Sequence, residues 1–225
     1  MSASSSASSS SPLGDAAGQG EPPPFWIEAR DALGRTDPVM RALIARPGPP
    51  HLVLRSDPFQ TLARSIVGQQ ISVKAAQSVW NRCVALVGTM TPLSLLAQQT
   101  EALRACGLSY RKIEYLVDLC IHFDSGAIDA AEWPRMSDED IIRDLTGIRG
   151  IGRWTAEMFL IFNLLRPDVY PLDDIGLLNA LSAAYEGGAR ISRAQALHRG
   201  EAWRPWRSVA TWYLWRSLDP LPVEY

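Results

Sequence analysis

The chain has 225 residues, of which 47% are hydrophobic, and a formal net charge of −2. This length and apolar content suffice for one or two folded domains, each with a buried core. The pI near 5.9 argues weakly against a nucleic-acid partner, and no apolar run reaches the about 18 residues that a membrane-spanning helix needs.

The N-terminal segment and the cysteines further limit the class of protein. Residues 1–24 are rich in serine and lack the basic and apolar regions of a signal peptide, so we predict a disordered tail. The cysteines are Cys83, Cys106 and Cys120, without a C-x-x-C pair, which excludes a zinc ribbon and a four-cysteine iron–sulfur site. We interpret them as small buried residues in a reducing compartment.

From Phe25 onward the sequence predicts short helices separated by turns. Asp57 before Pro58 and Ser72 before Val73 are typical helix starts, and apolar residues then recur at three- and four-residue spacing. The segment HLVLR, residues 51–55, is too short and isolated to make a sheet. We predict an all-α fold of roughly nine or ten helices. The predicted helical segments are SDPFQTLARSIVGQQ, SVKAAQSVWNRCVALVG, TPLSLLAQQ, TEALRACG, SYRKIEYLVDLCIHF, SDEDIIRDL, RWTAEMFL, DDIGLLNALSAAY, SRAQALH and PWRSVATWYLWRSL.

The segment LTGIRGIGRWTAEMFL, residues 145–160, places Gly147, Gly150 and Gly152 between two predicted helices. Glycine costs about 0.5 to 1 kcal/mol relative to alanine within a helix, so three glycines indicate positive-φ backbone or the close approach of another group. Amide hydrogens exposed just before a helix start form a cradle for an anion such as phosphate. A simple connection between two helices is the alternative.

Charged residues are unevenly distributed along the chain. Residues 187–218 contain six arginines and one glutamate, whereas residues 124–144 contain seven acidic residues and two arginines. One face of the protein is therefore expected to be basic and another acidic. Two separately solvated helix surfaces are the alternative.

Two consecutive carboxylates, Asp173 and Asp174, follow Pro171 and open the next predicted helix. One aspartate at such a position is an ordinary N-cap, and we assign that role to Asp173. A carboxylate close to a DNA-binding turn is also suited to stabilise positive charge that develops on a deoxyribose. At about 4 Å and an effective dielectric near 20, that interaction is worth roughly 4 kcal/mol.

The order of residues in LTGIRGIG resembles the helix-hairpin-helix element, which holds the DNA backbone without regard to sequence. Together with GIGRWTAEMFL, DVYPLDD, GQQIS and WRPWRSVATWYLW, it makes the chain resemble the helix-hairpin-helix (HhH-GPD) superfamily of DNA glycosylases. The similarity is strongest to the DNA-3-methyladenine glycosylase II branch and extends over residues 25–220.

The resemblance implies a monofunctional DNA glycosylase of base excision repair. Such an enzyme rotates an alkylated base of the 3-methyladenine type out of the duplex and hydrolyses its N-glycosidic bond, which leaves an abasic site. By this match Asp174, and not Asp173, is the catalytic aspartate. Bifunctional relatives carry a lysine nucleophile where this sequence has Trp154, so water is the expected nucleophile.

The resemblance also implies which residues contact the damaged base and the duplex. Trp154, Met158 and Trp215 match base-pocket positions, where an electron-rich ring attracts a cationic purine. We expect Trp215 to stack on the base; core packing is the alternative for Trp215 and Met158. The DNA wedge falls on Gln70, with Gln69 beside it, although the same segment is also consistent with a plain turn between helices.

At the hairpin, the same match assigns phosphate binding to Gly150, Gly152 and Arg153. The main-chain carbonyls of Thr146, Ile148 and Ile151 match those that hold a monovalent cation in the family. A structural Na⁺ or K⁺ is therefore expected there, and no other cofactor is required. The roles of Arg153 and of the three carbonyls rest on the resemblance alone, whereas the two glycines also follow from the anion cradle described above. The residues assigned at the hairpin are Gly150, Gly152, Arg153, Thr146, Ile148 and Ile151.

The resemblance implies two helical lobes with a cleft between them. Lobe one covers residues 58–144, and lobe two combines residues 25–57 with 145–225. The helix-hairpin-helix occupies about residues 137–165. We expect damaged double-stranded DNA as the partner, a monomer without membrane contact, and a cytoplasmic location at the bacterial nucleoid.

Two other functions are consistent with part of the sequence. A non-catalytic DNA-binding module explains the hairpin and the arginines, but gives no reason for Asp174, Gln70 and Trp215 to match together. A nuclease that binds magnesium through Asp173 and Asp174 would need further acidic ligands in the same loop, and the sequence has none there. The range of lesions that the protein accepts does not follow from the sequence.

Overall fold

The computed structural model describes residues 21–48, 51–52, 54 and 57–218. These residues form twelve α-helices and one 3₁₀ helix, without a β-strand among them, which confirms the predicted all-α class. The predicted tail over residues 1–24 lies almost wholly outside the described residues. None of the described helices is both long and apolar enough to cross a bilayer. The helices are α1 (Trp26–Thr36), α2 (Pro38–Ile44), α3 (Pro58–Gly68), α4 (Val73–Val87), α5 (Pro92–Leu96), α6 (Thr100–Ala105), α7 (Tyr110–Asp124), the 3₁₀ helix (Trp133–Arg135), α8 (Asp138–Thr146), α9 (Arg153–Phe162), α10 (Ile175–Tyr185), α11 (Arg193–Glu201) and α12 (Arg207–Leu218).

Most helices begin at a side-chain cap that the sequence makes recognisable. Asp57 accepts a hydrogen bond from the amide of Gln60, and Ser72 accepts one from the amide of Ala75. Such caps satisfy backbone donors that have no partner inside the helix. Prolines occupy the first position of α2, α3 and α5, where their fixed φ and missing N–H cost nothing.

The predicted number of nine or ten helices was too low, because the sequence analysis did not identify α1 and α2 individually. The start of α2 has the same signal as that of α3: Asp37 precedes Pro38, and its side chain accepts from the amides of Val39 and Met40. Helix α1 has no side-chain cap, so its start carries no comparable signal.

The helices pack in two groups, with α8 and α9 as a separate hairpin. Helices α3, α4, α5, α6 and α7 pack against one another, and α1, α2, α10 and α12 form the second group. Helices α8 and α9 pack together as a hairpin, and α9 also contacts α3. At that junction the side-chain amide of Asn163 donates to Thr61 Oγ1 at 3.2 Å. This contact lies at the C-terminal end of α9, whereas the turn between α8 and α9 lies at its N-terminal end.

The arginine-rich segment over residues 187–218 does not form an unpaired basic surface. Four of its six arginines make ion pairs with carboxylates within the described part of the chain. These pairs are exposed or partly exposed, and DNA binding through this face would compete with them. The pairs are Arg193 with Asp173, Arg199 with Glu186, Arg204 with Asp168 and Glu201, and Arg207 with Asp168.

Candidate active site and DNA-binding turn

The turn between α8 and α9 requires glycine at Gly150. Its φ is +87°, in the left-handed region, and an added Cβ would overlap the ring of Tyr115 on α7. At Gly152, by contrast, an added Cβ would have no heavy atom within 4 Å. Gly150 therefore fits against the protein, whereas Gly152 leaves open space on the outer side of the turn.

Two backbone amides of the turn remain available for an anion. Within the described residues, the amides of Gly150 and Gly152 donate to no protein acceptor. The other two amides of this stretch have acceptors. The amide of Arg149 donates to Asp118 Oδ2 at 2.8 Å, and the amide of Ile151 donates to the Ile148 carbonyl. Free amides at the N-terminus of α9 are suited to a phosphate oxygen.

The guanidinium of Arg153, the first residue of α9, is held by two carboxylates. Its Nε donates to Glu157 at 3.0 Å, and its Nη1 donates to Glu139 at 3.0 Å. Burial raises the pKa of Glu157 above its ordinary value, although the nearby Arg153 partly offsets this shift. These bonds tie α8 to the first turns of α9. The predicted phosphate contact through Arg153 stays a prediction and would have to share this guanidinium.

The N-cap of α10 is Asp174 and not Asp173, so the predicted cap was wrong by one residue. Asp174 Oδ1 accepts from the amide of Leu177 at 2.6 Å, and the residue is only 6% exposed. Asp173 is exposed and pairs with Arg193 on α11. The turn that starts at Pro171, whose carbonyl accepts from the Asp174 amide at 3.0 Å, directs the two carboxylates apart.

Two indole groups hold the Asp174 carboxylate. Trp154 Nε1 on α9 donates to Asp174 Oδ2 at 2.8 Å, and Trp215 Nε1 on α12 donates to Asp174 Oδ1 at 2.8 Å. Helices α9, α10 and α12 thus converge on one carboxyl group. Hydrogen bonds from two N–H donors fix the orientation of the carboxylate.

The two oxygens of Asp174 differ in what they bind. Oδ1 accepts from both the Leu177 amide and Trp215, whereas Oδ2 accepts from Trp154 alone among the described residues. A carboxylate oxygen offers about two acceptor positions. Oδ2 therefore keeps one acceptor position that no described residue uses.

The structure brings two of the three predicted base-pocket residues to Asp174. The Trp215 ring stacks on Phe162, with centroids 5.9 Å apart and an interplanar angle of 13°, and Trp215 is 9% exposed. Met158 is buried on α9, one turn after Trp154. The expected stacking of Trp215 on a base stays a prediction, and the indole–carboxylate bonds add a role that the sequence analysis did not include.

The predicted wedge segment follows α3 and reaches the turn between α8 and α9. Gln70 is exposed and has a φ of 60°, which is rare for a residue with a side chain. Gln69 is half-buried, and its Nε2 donates to the carbonyl of Gly150 at 2.8 Å. The two glutamines are therefore in different environments.

Sequence reasoning missed the residues of α7 that contact the turn. Tyr115 packs on Gly150, and Asp118 binds both the amide of Arg149 and its Nε, the latter at 3.2 Å. No local signal identifies these residues, because 31 residues separate Asp118 from Arg149.

Comparisons with known proteins identify the family of this chain. The family profile described as "HhH-GPD superfamily base excision DNA repair protein" matches residues 63–205, more than half of the chain. DNA-3-methyladenine glycosylase 1 of Schizosaccharomyces pombe is 36% identical over 167 residues, which are 72% of this chain and 73% of that protein.

Solved structures of 3-methyladenine glycosylases have a similar fold. The crystal structure of a DNA-3-methyladenine glycosidase from Bacillus halodurans matches with a TM-score of 0.79 and 37% identity, over 85% of this chain and 89% of that one. The S. pombe 3-methyladenine DNA glycosylase in complex with abasic DNA matches with a TM-score of 0.74 and 33% identity, over 87% and 100%. An 8-oxoguanine glycosylase/lyase from Clostridium acetobutylicum, 17% identical with a TM-score of 0.71, shares the fold.

Proposed function

Because the chain belongs to the HhH-GPD superfamily of base excision DNA repair proteins, we propose that it is a DNA glycosylase for alkylated bases of the 3-methyladenine type. It hydrolyses the N-glycosidic bond of an everted base and leaves an abasic site. The observation that carries this proposal is the Asp174 carboxylate, which α9, α10 and α12 hold in place while Oδ2 keeps an acceptor position.

The reaction needs little more than this carboxylate and water. A base alkylated on a ring nitrogen already carries positive charge, so the C1′–N bond breaks with its electron pair leaving on a neutral base. The sugar then becomes oxocarbenium-like, and Asp174 stabilises it electrostatically. Water adds to C1′ and gives up a proton, which completes the hydrolysis.

We propose a monofunctional enzyme, because no amine nucleophile lies at the position that bifunctional relatives use. Trp154 stands there, and its indole is committed to Asp174 Oδ2. A Schiff base with the sugar requires a lysine amine. Without one, the product is an intact strand with an abasic site.

The turn between α8 and α9 binds the backbone of the damaged duplex. The open amides of Gly150 and Gly152 contact a phosphate, and Gly152 lets it approach closely because no side chain covers the turn. Exposure of Gln70 at the tip of the preceding loop is consistent with its role as the wedge. We propose that the protein works on double-stranded DNA as a monomer in the cytoplasm.

The carbonyls of the turn fit a monovalent cation. Among the described residues, the carbonyls of Thr146 and Ile151 accept no hydrogen bond, and that of Ile148 accepts one, from the Ile151 amide. These three oxygens would hold Na⁺ or K⁺, which would supply positive charge near the phosphate.

The adjacent carboxylates provide a matched pair of variants to test this function. Purified protein should release 3-methyladenine from N-methylated duplex DNA in the presence of EDTA. Asp174→Asn should lower single-turnover release by about a thousandfold, because roughly 4 kcal/mol of charge stabilisation is lost. Asp173→Asn, which changes only an exposed ion pair, should stay within about threefold of wild type.

Two results would contradict the proposal. If the Asp174→Asn protein released base at the wild-type rate, this residue would have no catalytic role. Strand cleavage that depends on added magnesium would favour a nuclease. Binding to tetrahydrofuran-containing duplex should persist in Asp174→Asn at a stated salt concentration. A panel of oligonucleotides with single lesions then defines the accepted bases.

A further inference from the structure

The loop that carries the predicted wedge is attached to the DNA-binding turn by one side chain. Gln69 Nε2 donates to the carbonyl of Gly150 at 2.8 Å, although the two residues are 81 positions apart. The bond joins the end of α3, in one group of helices, to the turn between α8 and α9. Gln69 is half-buried, so its side chain faces the protein and not the solvent.

Its neighbour Gln70 has the opposite character. Gln70 is exposed, and its φ of 60° is in the left-handed region, which is disfavoured for residues with a Cβ. Such strain persists only where the surrounding structure imposes it, and it is concentrated at functional sites. The Gln69 bond on one side of Gln70 and the N-cap Ser72 on the other fix the loop at both ends.

The Gly150 end of the bond is itself rigid. The Tyr115 ring packs directly against Gly150, and Asp118 binds the amide of the preceding residue, Arg149. On the other side, Lys112 Nζ donates to the carbonyl of Val67 at 2.7 Å, close to the end of α3. Three residues of α7 therefore brace both segments that Gln69 connects.

We propose that Gln69 is a positioning residue and not part of the wedge. It holds Gln70 at a fixed distance from the phosphate that Gly150 and Gly152 bind. Binding of the DNA backbone at the turn thereby places Gln70 at the position where it everts the base. This inference rests on the proposed function, since it assigns Gln69 to the eversion step that precedes hydrolysis.

A double-mutant cycle distinguishes a positioning role of Gln69 from a role as part of the wedge. Gln69→Met keeps the length of the side chain and removes its donor, and Gln70→Gly removes the wedge side chain. In the Gln70 wild-type background, we expect Gln69→Met to lower single-turnover base release about fivefold, the effect of one hydrogen bond. In the Gln70→Gly background, the same change should have less than a twofold effect, because a positioning residue acts only through what it positions.

A second readout follows eversion without chemistry. A 2-aminopurine placed next to a tetrahydrofuran site becomes fluorescent when it unstacks, and Gln69→Met should lower this signal at saturating protein while affinity for the duplex stays within about twofold. If wild-type protein released no base, the proposed glycosylase function would fail, and this fluorescence would still test the role of Gln69.

Several outcomes would overturn the inference. One is a fivefold loss of release in both backgrounds, which is expected if Gln69 itself enters the duplex. The others are unchanged release in Gln69→Met and a fall in its affinity for DNA that accounts for the whole loss of release. Gln69→Leu, which has neither an N–H donor nor a charge, is the second variant should Gln69→Met unfold at a lower temperature than wild type.

Discussion

Replacing Trp154 with phenylalanine should slow base release by removing the hydrogen bond that orients Asp174 Oδ2. The indole Nε1 donates to this oxygen at 2.8 Å, and phenylalanine keeps an aromatic ring without the N–H. Oδ1 would still be held by the amide of Leu177 and by Trp215. The carboxylate should therefore remain at the start of α10 while Oδ2 loses its fixed direction.

The size of the effect follows from the strength of this bond. A hydrogen bond to a charged group contributes about 1.5 to 3 kcal/mol. If the bond must be in place when the sugar becomes cationic, its loss lowers the rate about 10- to 150-fold. Trp215→Phe is the matched control, because Oδ1 retains the Leu177 amide and a phenyl ring can still stack on Phe162. We expect its loss to be smaller, below about tenfold.

The assay is single-turnover release of 3-methyladenine from methylated duplex, with thermal unfolding of each variant measured in parallel. Saturating protein is used, so that affinity does not enter the rate. A Trp154→Phe protein that unfolds like wild type and releases base within twofold of the wild-type rate would refute the reasoning. In that case the orientation of Asp174 Oδ2 would not depend on the indole.

The remaining predictions concern the turn and the stability of the fold. Gly150→Ala should destabilise the protein by about 2 to 4 kcal/mol in urea unfolding, since its Cβ overlaps Tyr115 at a φ of +87°. Gly152→Ala, at the N-cap of α9, should cost less, at most about 1 kcal/mol, and should weaken binding to duplex DNA in anisotropy titrations. Burial raises the pKa of Asp37, but hydrogen bonds, the strongest from Tyr185, lower it more, so the pKa lies below the ordinary value of 3.8. The resulting stability is present above pH 3.8 and is lost as the pH falls through the lower folded-state pKa; Asp37→Asn should therefore show a flatter acid limb of the unfolding free energy against pH, and an equally steep limb would contradict this.

The sequence predicted helices well where their ends have local chemistry. Capping residues such as Ser72 and Ser137 act within three residues of themselves, so the signal and the contact lie in the same short window. Helix α12 is different: every residue from Ser208 to Trp215 is buried. A helix that is surrounded by protein has no polar face, so its sequence cannot show which side chains point to the site.

The candidate site is built from residues far apart in the sequence, and residue spacing does not predict such contacts. Trp154 and Trp215 are 20 and 41 residues from Asp174, and Asp118 is 31 residues from Arg149. The family resemblance identified Asp174 and the two tryptophans as site residues, but residue type alone suggested that the rings act by stacking. The structure shows in addition that their N–H groups donate to the carboxylate, a contact that depends on how α9, α10 and α12 come together.

The sequence predicts an N-cap at Asp173 and a catalytic carboxylate at Asp174, whereas in the structure the proposed catalytic residue Asp174 is itself the N-cap of α10. The cap uses Oδ1, which accepts the Leu177 amide, so that Oδ2 accepts from Trp154 and keeps one acceptor position for the proposed reaction. An aspartate that caps a helix is already ordered before any ligand binds, and the Trp154 and Trp215 donors remove its remaining freedom. A negative charge that is fixed in advance needs no reorganisation when positive charge develops on the sugar. Capping is thus the means by which the fold prepares this carboxylate for the proposed reaction.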